Sequence, residues 1–526
     1  MKKNIFLFDT TLRDGAQMTG ISFSARDKIA IAKKLDELGF DYIEGGFPGS
    51  NPKDSEFFEL ARKEHWKHAK ICAFGATRHK KNACHEDKSL LALRDSGVPV
   101  CVLFGKSSRF HAEEILETSA EENLHILEES VRFLVDAGKE VIFDAEHFFD
   151  GFFEDRNYAL DCLRAAVNGG AGNLTLADTN GGMLPEQIAE ALSVVRKTLD
   201  IPLGIHAHND SDLAVANTLA AVNAGVTLIQ GTINGLGERC GNASLTSIIP
   251  ILQLKMGIPV LSEHALSHLT GLSRFVQELS NLNPRKDLPF VGQWAFRHKG
   301  GVHVSAMRKH PQSYQHIFPE LVGNQSSSAV SELSGRANIL EFLQARHISA
   351  PEEMVTRLLE KVKEAEREGL LFDGGETSLE VLARKVIEHK PLPFTVIDFF
   401  VHTGKIATAT DPVSAIEATT RVIIDGKEFH TAGFGNGPVN ALDVALRKAL
   451  EPVYPWLADV ELVDFKVRIV DMCLGTSAKT RVQVETKGKN GEIWRTVGCS
   501  QNIIAASMQA LEDALLFAIW NGESRG

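Results

Sequence analysis

Through the first half of the chain, short apolar runs stop abruptly at glycine or a polar residue. Each is followed by a stretch in which apolar positions recur at three- and four-residue spacing. The runs "IFLFD" (5–9), "DYIEG" (41–45), "KICAF" (70–74), "VCVLF" (100–104), "EVIFD" (140–144), "LTLAD" (174–178), "LGIHAH" (203–208) and "TLIQG" (227–231) predict eight strands. Intervening stretches such as "SARDKIAIAKKLDELGF" and "ENLHILEESVRFLVDAG" predict amphipathic helices, with Ser or Asn near the start and Gly near the end. Strands alternating with helices imply right-handed βαβ units. Eight such units in a row predict an α/β fold of the closed (β/α)8 TIM barrel type over residues 1–275, although the pattern alone also admits an open doubly wound sheet.

From about residue 275 the alternation stops. "PEEMVTRLLEKVKEAEREGLLFDGGETSLEVLARKV" reads as helices joined at a Gly-Gly turn, so residues 276–395 are expected to form a helical linker. The last part, 396–526, carries an internal echo. "FHTAGFGNGPVNALDVALRKAL" and "WRTVGCSQNIIAASMQALEDAL" match at a constant offset of 65, with Gly433 on Gly498 and Leu446 on Leu511. In both copies strand-like sequence runs into a helix. Two such units predict a C-terminal α+β domain with a pseudo-twofold axis, a shape suited to a small ligand or to a second copy of itself.

Composition narrows the function without identifying it. The chain has 526 residues, 44% hydrophobic and 24% charged, with a formal net charge of -12, and it shows no run of Lys and Arg that could track phosphates. Nucleic acid is therefore not an expected partner. The opening "MKKNIFLFDTTLRDG" has its apolar stretch broken by Asp9 and Arg13, which suits neither a signal peptide nor a membrane span, so a cytoplasmic protein is expected. Seven cysteines without a C-x-x-C pair argue for reduced thiols. Neither a Walker A sequence nor a G-x-G-x-x-G after a strand is present, which leaves nicotinamide and nucleotide-hydrolysis chemistry without support.

In a (β/α)8 barrel the working residues sit at the C-terminal ends of the strands. That filter selects Arg13, Asp14 and Gln17; Glu44; Glu146 and His147; Asp178, Thr179 and Asn180; His206, His208 and Asn209; and Asn234, Glu238 and Asn242. His206 and His208 stand two apart on one strand, so their rings share a face and can converge on a divalent metal. A closed barrel brings strands one and eight together, adding Asp14 and Asn242 as oxygen ligands. Mn2+, Mg2+, Co2+ and Zn2+ all suit such a mixed set. An isolated strand-end histidine is otherwise a hydrogen-bonded structural residue. Arg13, beside this site, suits an anionic substrate or a developing oxyanion; the alternative is an ion pair with Glu44 or Glu146. Glu146 could act as a base or position one. The glycines of "NGLGERCGNA" permit close backbone approach.

The segments "DTTLRDGAQ", "HAHND" and "NGLGERCGNA" resemble the signatures of the metal-dependent acyl-CoA condensing and lyase barrels: isopropylmalate, homocitrate and citramalate synthases, with hydroxymethylglutaryl-CoA lyase more distant. "IEGGFPGSNPKD", "ADTNGGMLP" and "HKGGVHVSAM" resemble the long citramalate synthase branch most, and the terminal repeat resembles that branch's regulatory domain. By position, the resemblance implies Asp14, His206, His208 and Asn242 as metal ligands. It implies Arg13 as the residue steadying substrate oxygens, with Gln17 and Thr179 as substrate contacts and Glu146 as an active-site acid or base. His303 and Tyr314 would be a pair that the linker contributes, from this chain or a neighbouring subunit. The implied reaction is a Claisen-type condensation of acetyl-CoA with a 2-oxo acid, followed by thioester hydrolysis. With pyruvate the product is citramalate, for isoleucine synthesis, in a homodimer inhibited by an amino-acid effector at the C-terminal domain. Isopropylmalate formation, and acyl-CoA lyase or aldolase chemistry, are the alternatives.

Overall fold

The computed structural model describes residues 5–282, 285–298, 301–328, 336–372, 374–405, 414–470 and 478–523. Cys473 and two residues of the "HKGGVHVSAM" segment, Lys299 and Gly300, lie outside them. The described chain divides into two compact units. One runs to Phe296 and includes His316–Ser326; the other comprises Arg297–Gln315 and the residues from Ser327 onward.

The first unit is a closed barrel of eight parallel strands: β1 (Phe6–Asp9), β2 (Tyr42–Gly46), β3 (Lys70–Ala76), β4 (Val100–Lys106), β5 (Glu140–Glu146), β6 (Asn173–Asp178), β7 (Leu203–Ala207) and β8 (Leu228–Gly231). Pairing of Phe6 to Asp9 with Leu228 to Gly231 closes the ring, which decides between the barrel and the open sheet. Local chemistry sets the helix boundaries. The helix Ala25–Leu38 begins at Ser24, whose hydroxyl accepts from Asp27 N while the Asp27 carboxylate accepts from Ser24 N. Such a capping box contributes about 1 kcal/mol. The helix ends at Gly39, whose φ of 87° is the left-handed cap that glycine adopts without steric cost.

Period-two alternation sorts the strand residues between the lumen and the helical layer. Phe8, Cys72, Val100, Val102, Ile142 and Leu228 fill the lower lumen as one buried cluster. Asp144 and Gln230, two residues beyond Ile142 and Leu228, join Glu44 of β2 and Thr175 of β6 in a group of polar side chains that is equally buried. β2 shifts register between Glu44 and Gly46, a bulge that ends its regular pairing just below the mouth.

The second unit contains the helices Gly301–Lys309, Arg336–Gln344, Glu352–Arg367 and Glu376–Ile387, and then two three-stranded antiparallel sheets. These are β9 (Phe394–Lys405), β10 (Ser414–Ile424) and β11 (Lys427–Gly435), followed by the helix Pro438–Leu450; and β12 (Glu461–Ile469), β13 (Thr480–Lys487) and β14 (Ile493–Ser500), followed by the helix Ile503–Glu523. The repeat is thus a βββα unit, longer than the echo in the sequence. Its conserved joint is a close approach of strand to helix. A Cβ on Gly433 would stand 2.6 Å from Ala445 N and one on Gly498 2.0 Å from Ala506 O, so only glycine fits at either place. Thr431 and Thr496 donate to Ala445 O and Ala510 O at 2.7 Å, again 65 residues apart. Helix Ile503–Glu523 is long and apolar enough to cross a membrane by length and composition alone. Its Ala506, Ala510, Leu511, Leu515 and Ile519 are instead buried in the domain core.

Candidate metal centre and acid–base site

β7 carries His206 on its lumen side, and His208 follows just beyond its end, where it bridges to Asn242. Asp14 comes from the turn after β1. The three converge: His206 Nε2 lies 3.2 Å from His208 Nε2, and Asp14 Oδ2 lies 3.7 and 3.8 Å from the two nitrogens. All three residues are buried. Ligands of one small divalent ion at about 2.1 Å stand roughly 3 Å or more apart, so this triad has the spacing of a shared ion. It is the group of His, Cys, Asp or Glu among the described residues that could hold one.

The surroundings fix which atoms point inward. Gln230 Oε1 lies 2.9 Å from His206 Nδ1, so it accepts from Nδ1–H and leaves Nε2 as a lone pair directed at the cluster. Burial pushes the His206 imidazolium down to about 3, and the neighbouring His208 adds to the effect; the ring is neutral. His208 is lowered in the same direction by burial. Burial favours the protonated acid at Asp14, but Arg13, His206 and His208 outweigh it and hold the carboxyl well below its usual range. Asn242 Nδ2 donates to Asp14 Oδ1 at 2.6 Å, while its own Oδ1 is buried without a partner among the described residues. An orphaned acceptor beside two neutral imidazoles and a carboxylate is the donor set a cation requires. The glycine loop accommodates it: a Cβ on Gly237 would stand 2.1 Å from Asn242 Nδ2.

Arg13 lies against this cluster. Its Nε is 2.6 Å from Glu44 Oε2, its Nη1 is 2.7 Å from Asp14 Oδ2, and its Cζ stands 3.9 Å over the Phe74 ring, which stacks on Phe104. The ion pair with Glu44 exists, and it holds the guanidinium beside the triad rather than away from it. Burial works against the Arg13 charge, yet Glu44 and Asp14 raise its pKa above the ordinary value. Glu44 itself is pushed up by burial, and Asp144 well up by burial and by Glu44.

Glu146, at the end of β5, pairs with Lys106 at 2.6 Å. Thr179 is half-buried, and its hydroxyl accepts from His147 N at 2.8 Å. Gln17 is exposed in the turn after Asp14. His303 and Tyr314 lie in the second unit, where their rings stack at 4.1 Å, both exposed. Sequence reasoning passed over Gln230 and Lys106. The available signal was parity, since Gln230 shares the lumen face with Leu228 and Lys106 with Phe104.

The barrel that carries two imidazoles and a carboxylate at its C-terminal mouth is the part of the chain that the HMGL-like family matches, over residues 4–276. The homocitrate synthase post-HMGL domain-like family matches 290–369, and the LeuA allosteric (dimerisation) domain matches 374–518. The chain is 48% identical to the (R)-citramalate synthase of Aquifex aeolicus, covering 100% of both, and 49% identical to that of Geobacter sulfurreducens, covering 98% of both. A probable 2-isopropylmalate synthase of Methanopyrus kandleri is 34% identical over 97% of both chains. The chain belongs to the (R)-citramalate synthase family. It is an acyltransferase of that family.

Proposed function

We propose that the protein condenses acetyl-CoA with pyruvate and hydrolyses the thioester, giving citramalate and CoA for isoleucine synthesis. The observation that carries this reading is the convergence of Asp14, His206 and His208 beside the buried Arg13. Asp14, His206 and His208, with Asn242 as a fourth, would hold one Mn2+, Mg2+, Co2+ or Zn2+. When bound, that ion supplies Lewis-acid polarisation of the 2-oxo acid carbonyl.

The chain's own groups do the rest. Arg13, charged and fixed on three sides by Glu44, Asp14 and the Phe74 face, directs its remaining N–H groups at the carboxylate of the oxo acid and at the developing enolate. Thr179 and Gln17 contact the oxo-acid end. Lys106 holds Glu146 Oε2 at 2.6 Å, which fixes the carboxylate where it can accept a methyl proton from acetyl-CoA. By the resemblance, His303 and Tyr314, from this chain or a neighbouring subunit, are the other candidates for that proton.

Assembly as a homodimer is supported by the match to the LeuA dimerisation domain and by exposed apolar residues on its sheets, among them Phe400 at 59% and Phe434 at 66% exposure. An end-product amino acid is the proposed effector of that domain. A cytoplasmic setting fits the described cysteines, none of which forms a disulfide. Isopropylmalate formation is the second reading, and the lower identity to the isopropylmalate relative disfavours it.

The test is thiol release from acetyl-CoA with pyruvate, 2-oxoisovalerate, 2-oxoglutarate and glyoxylate in turn. Pyruvate is expected to give the highest kcat/KM, with citramalate as the product. Preference for 2-oxoisovalerate would move the protein to the second reading.

A further inference from the structure

His147 follows Glu146 directly and is built in an unusual way. Its backbone is left-handed, with φ 59°, a conformation that costs a branched or bulky side chain energy and recurs where a strand end must aim a group. Its ring is buried and stacks on His111 with centroids 3.7 Å apart and planes 15° from parallel. His111 comes from the turn after β4, and the Nδ1 atoms of both rings are buried without hydrogen-bond partners among the described residues. Two stacked imidazoles with unsatisfied nitrogens are a poor arrangement for stability alone.

The ring of His147 lies between two carboxylates. Its Nε2 is 4.0 Å from Glu146 Oε1 and its Nδ1 is 3.5 Å from Asp150 Oδ2. Lys106 occupies the opposite oxygen of Glu146, Oε2, which leaves Oε1 for the ring. Asp150 is held by Asn180 Nδ2 at 3.0 Å, and its side chain is 29% exposed against 11% for His147. The Glu146 side chain is 24% exposed, so the buried ring of His147 stands between two carboxylates that both reach solvent. Both gaps are a little longer than a direct hydrogen bond, the span that one water or a small ring rotation closes when substrate is bound.

We propose that His147 is a positioning residue that relays the catalytic proton between Glu146 and Asp150. The proposal rests on the reading of Glu146 as the acid–base group. In the first half-reaction a methyl C–H bond of acetyl-CoA breaks, its electron pair becomes the new C–C bond to the oxo acid, and the proton goes to Glu146 Oε1. His147 takes it at Nε2 and releases the Nδ1 proton to Asp150, so Glu146 is ionised again. The alkoxide formed by the condensation needs one proton. The same three groups run in reverse to deliver it, which restores the original tautomer of the ring. His111 packs on the ring face and keeps its two nitrogens in line with the carboxylates.

Two substitutions test this on the full-length enzyme, assayed by thiol release with acetyl-CoA and pyruvate. Both replacements tolerate the left-handed backbone: His147→Asn supplies no relaying ring, and His147→Gly leaves a space of imidazole size. Each variant is expected to lose roughly 10- to 100-fold in kcat, with KM for pyruvate changed less than about twofold. Added imidazole should restore at least about a tenfold part of the His147→Gly loss, to a degree that follows the pKa of substituted imidazoles. His147→Asn with the parent's kcat overturns the relay, and so does a His147→Gly enzyme that imidazole does not restore. Glu146→Gln separates the two readings. If it keeps full activity the acid–base assignment of Glu146 fails, whereas an inactive Glu146→Gln beside a fully active His147→Asn leaves that assignment standing and removes the relay alone.

Discussion

The hydrogen bond between His206 and Gln230 makes a quantitative prediction about metal affinity. Gln230→Met replaces the amide with an apolar side chain of similar length in a fully buried site, so the cavity cost is small and the loss is concentrated in one acceptor. The bond removed is 2.9 Å, and the other contacts of Gln230, to Asp144 and Thr175, are both 3.4 Å and contribute little. Leaving the His206 Nδ1–H without a partner costs about 1–3 kcal/mol, and the ring can then protonate at either nitrogen. The rings protonated at Nε2 then present the wrong atom to the cluster. At about 1.4 kcal/mol per tenfold, the expected weakening of divalent-metal binding is about 10- to 100-fold, the range typical when the residue behind a ligating imidazole is removed. The assay is a competitive titration of metal between the protein and a chromophoric chelator, with circular dichroism to verify the fold. A metal Kd within about twofold of the parent's would refute the argument, because it would mean that the tautomer of His206 is set elsewhere or does not matter.

Arg13→Lys removes the planar fork that reaches Glu44 and Asp14 together, so kcat is expected to fall about 100- to 1000-fold in the thiol-release assay; a fall of less than threefold would deny Arg13 its role. Gly498→Ala forces a Cβ to within 2.0 Å of Ala506 O and should destabilise the C-terminal domain by about 1–3 kcal/mol, read as a lower midpoint in thermal unfolding, while Gly271→Ala, which meets nothing within 4 Å, should not. Burial, with Asp513 beside it, raises Glu512 from 4.5 to about 7. A carboxyl raised on folding contributes stability fully present below its unfolded pKa and lost as pH climbs through the folded one. Glu512→Gln should therefore melt higher than the parent at pH 8, by on the order of 2 kcal/mol, and level with it near pH 4; equal melting at both would show that Glu512 is solvated.

Much of the barrel was legible because each strand carries its own punctuation. "VCVLF" and "EVIFD" are apolar on both faces, as strands covered by helices must be, and each stops where the chemistry begins. His206 and His208 were readable for the same reason, since a period of two leaves no doubt that they share a face. Gln230 was harder. A single amide inside "TLIQG" reads as an interruption, and its meaning depends on which imidazole lies across the lumen, a fact of barrel closure rather than of local pattern. Arg13 admitted two interpretations: the structure shows the ion pair with Glu44, and the same guanidinium also borders Asp14, where its role toward substrate oxygens is the proposal. In the C-terminal domain the echo exposed only the strand-to-helix joint. There the glycine and threonine contacts are backbone-specific and tolerate no change, whereas β9 and β12 keep shape but not sequence, down to a register shift just before Asp398 in one and before Asp464 in the other.

The central claim is that Asp14, His206 and His208 grip one divalent ion on which condensation depends. It is tested most directly by elemental analysis of the purified protein and of His208→Ala, paired with thiol release before and after chelation. The expected result is about one equivalent of metal per chain in the parent, a small fraction of that in His208→Ala, and turnover that vanishes on chelation and returns when a divalent ion is added back. Undiminished turnover by a metal-free enzyme would contradict it.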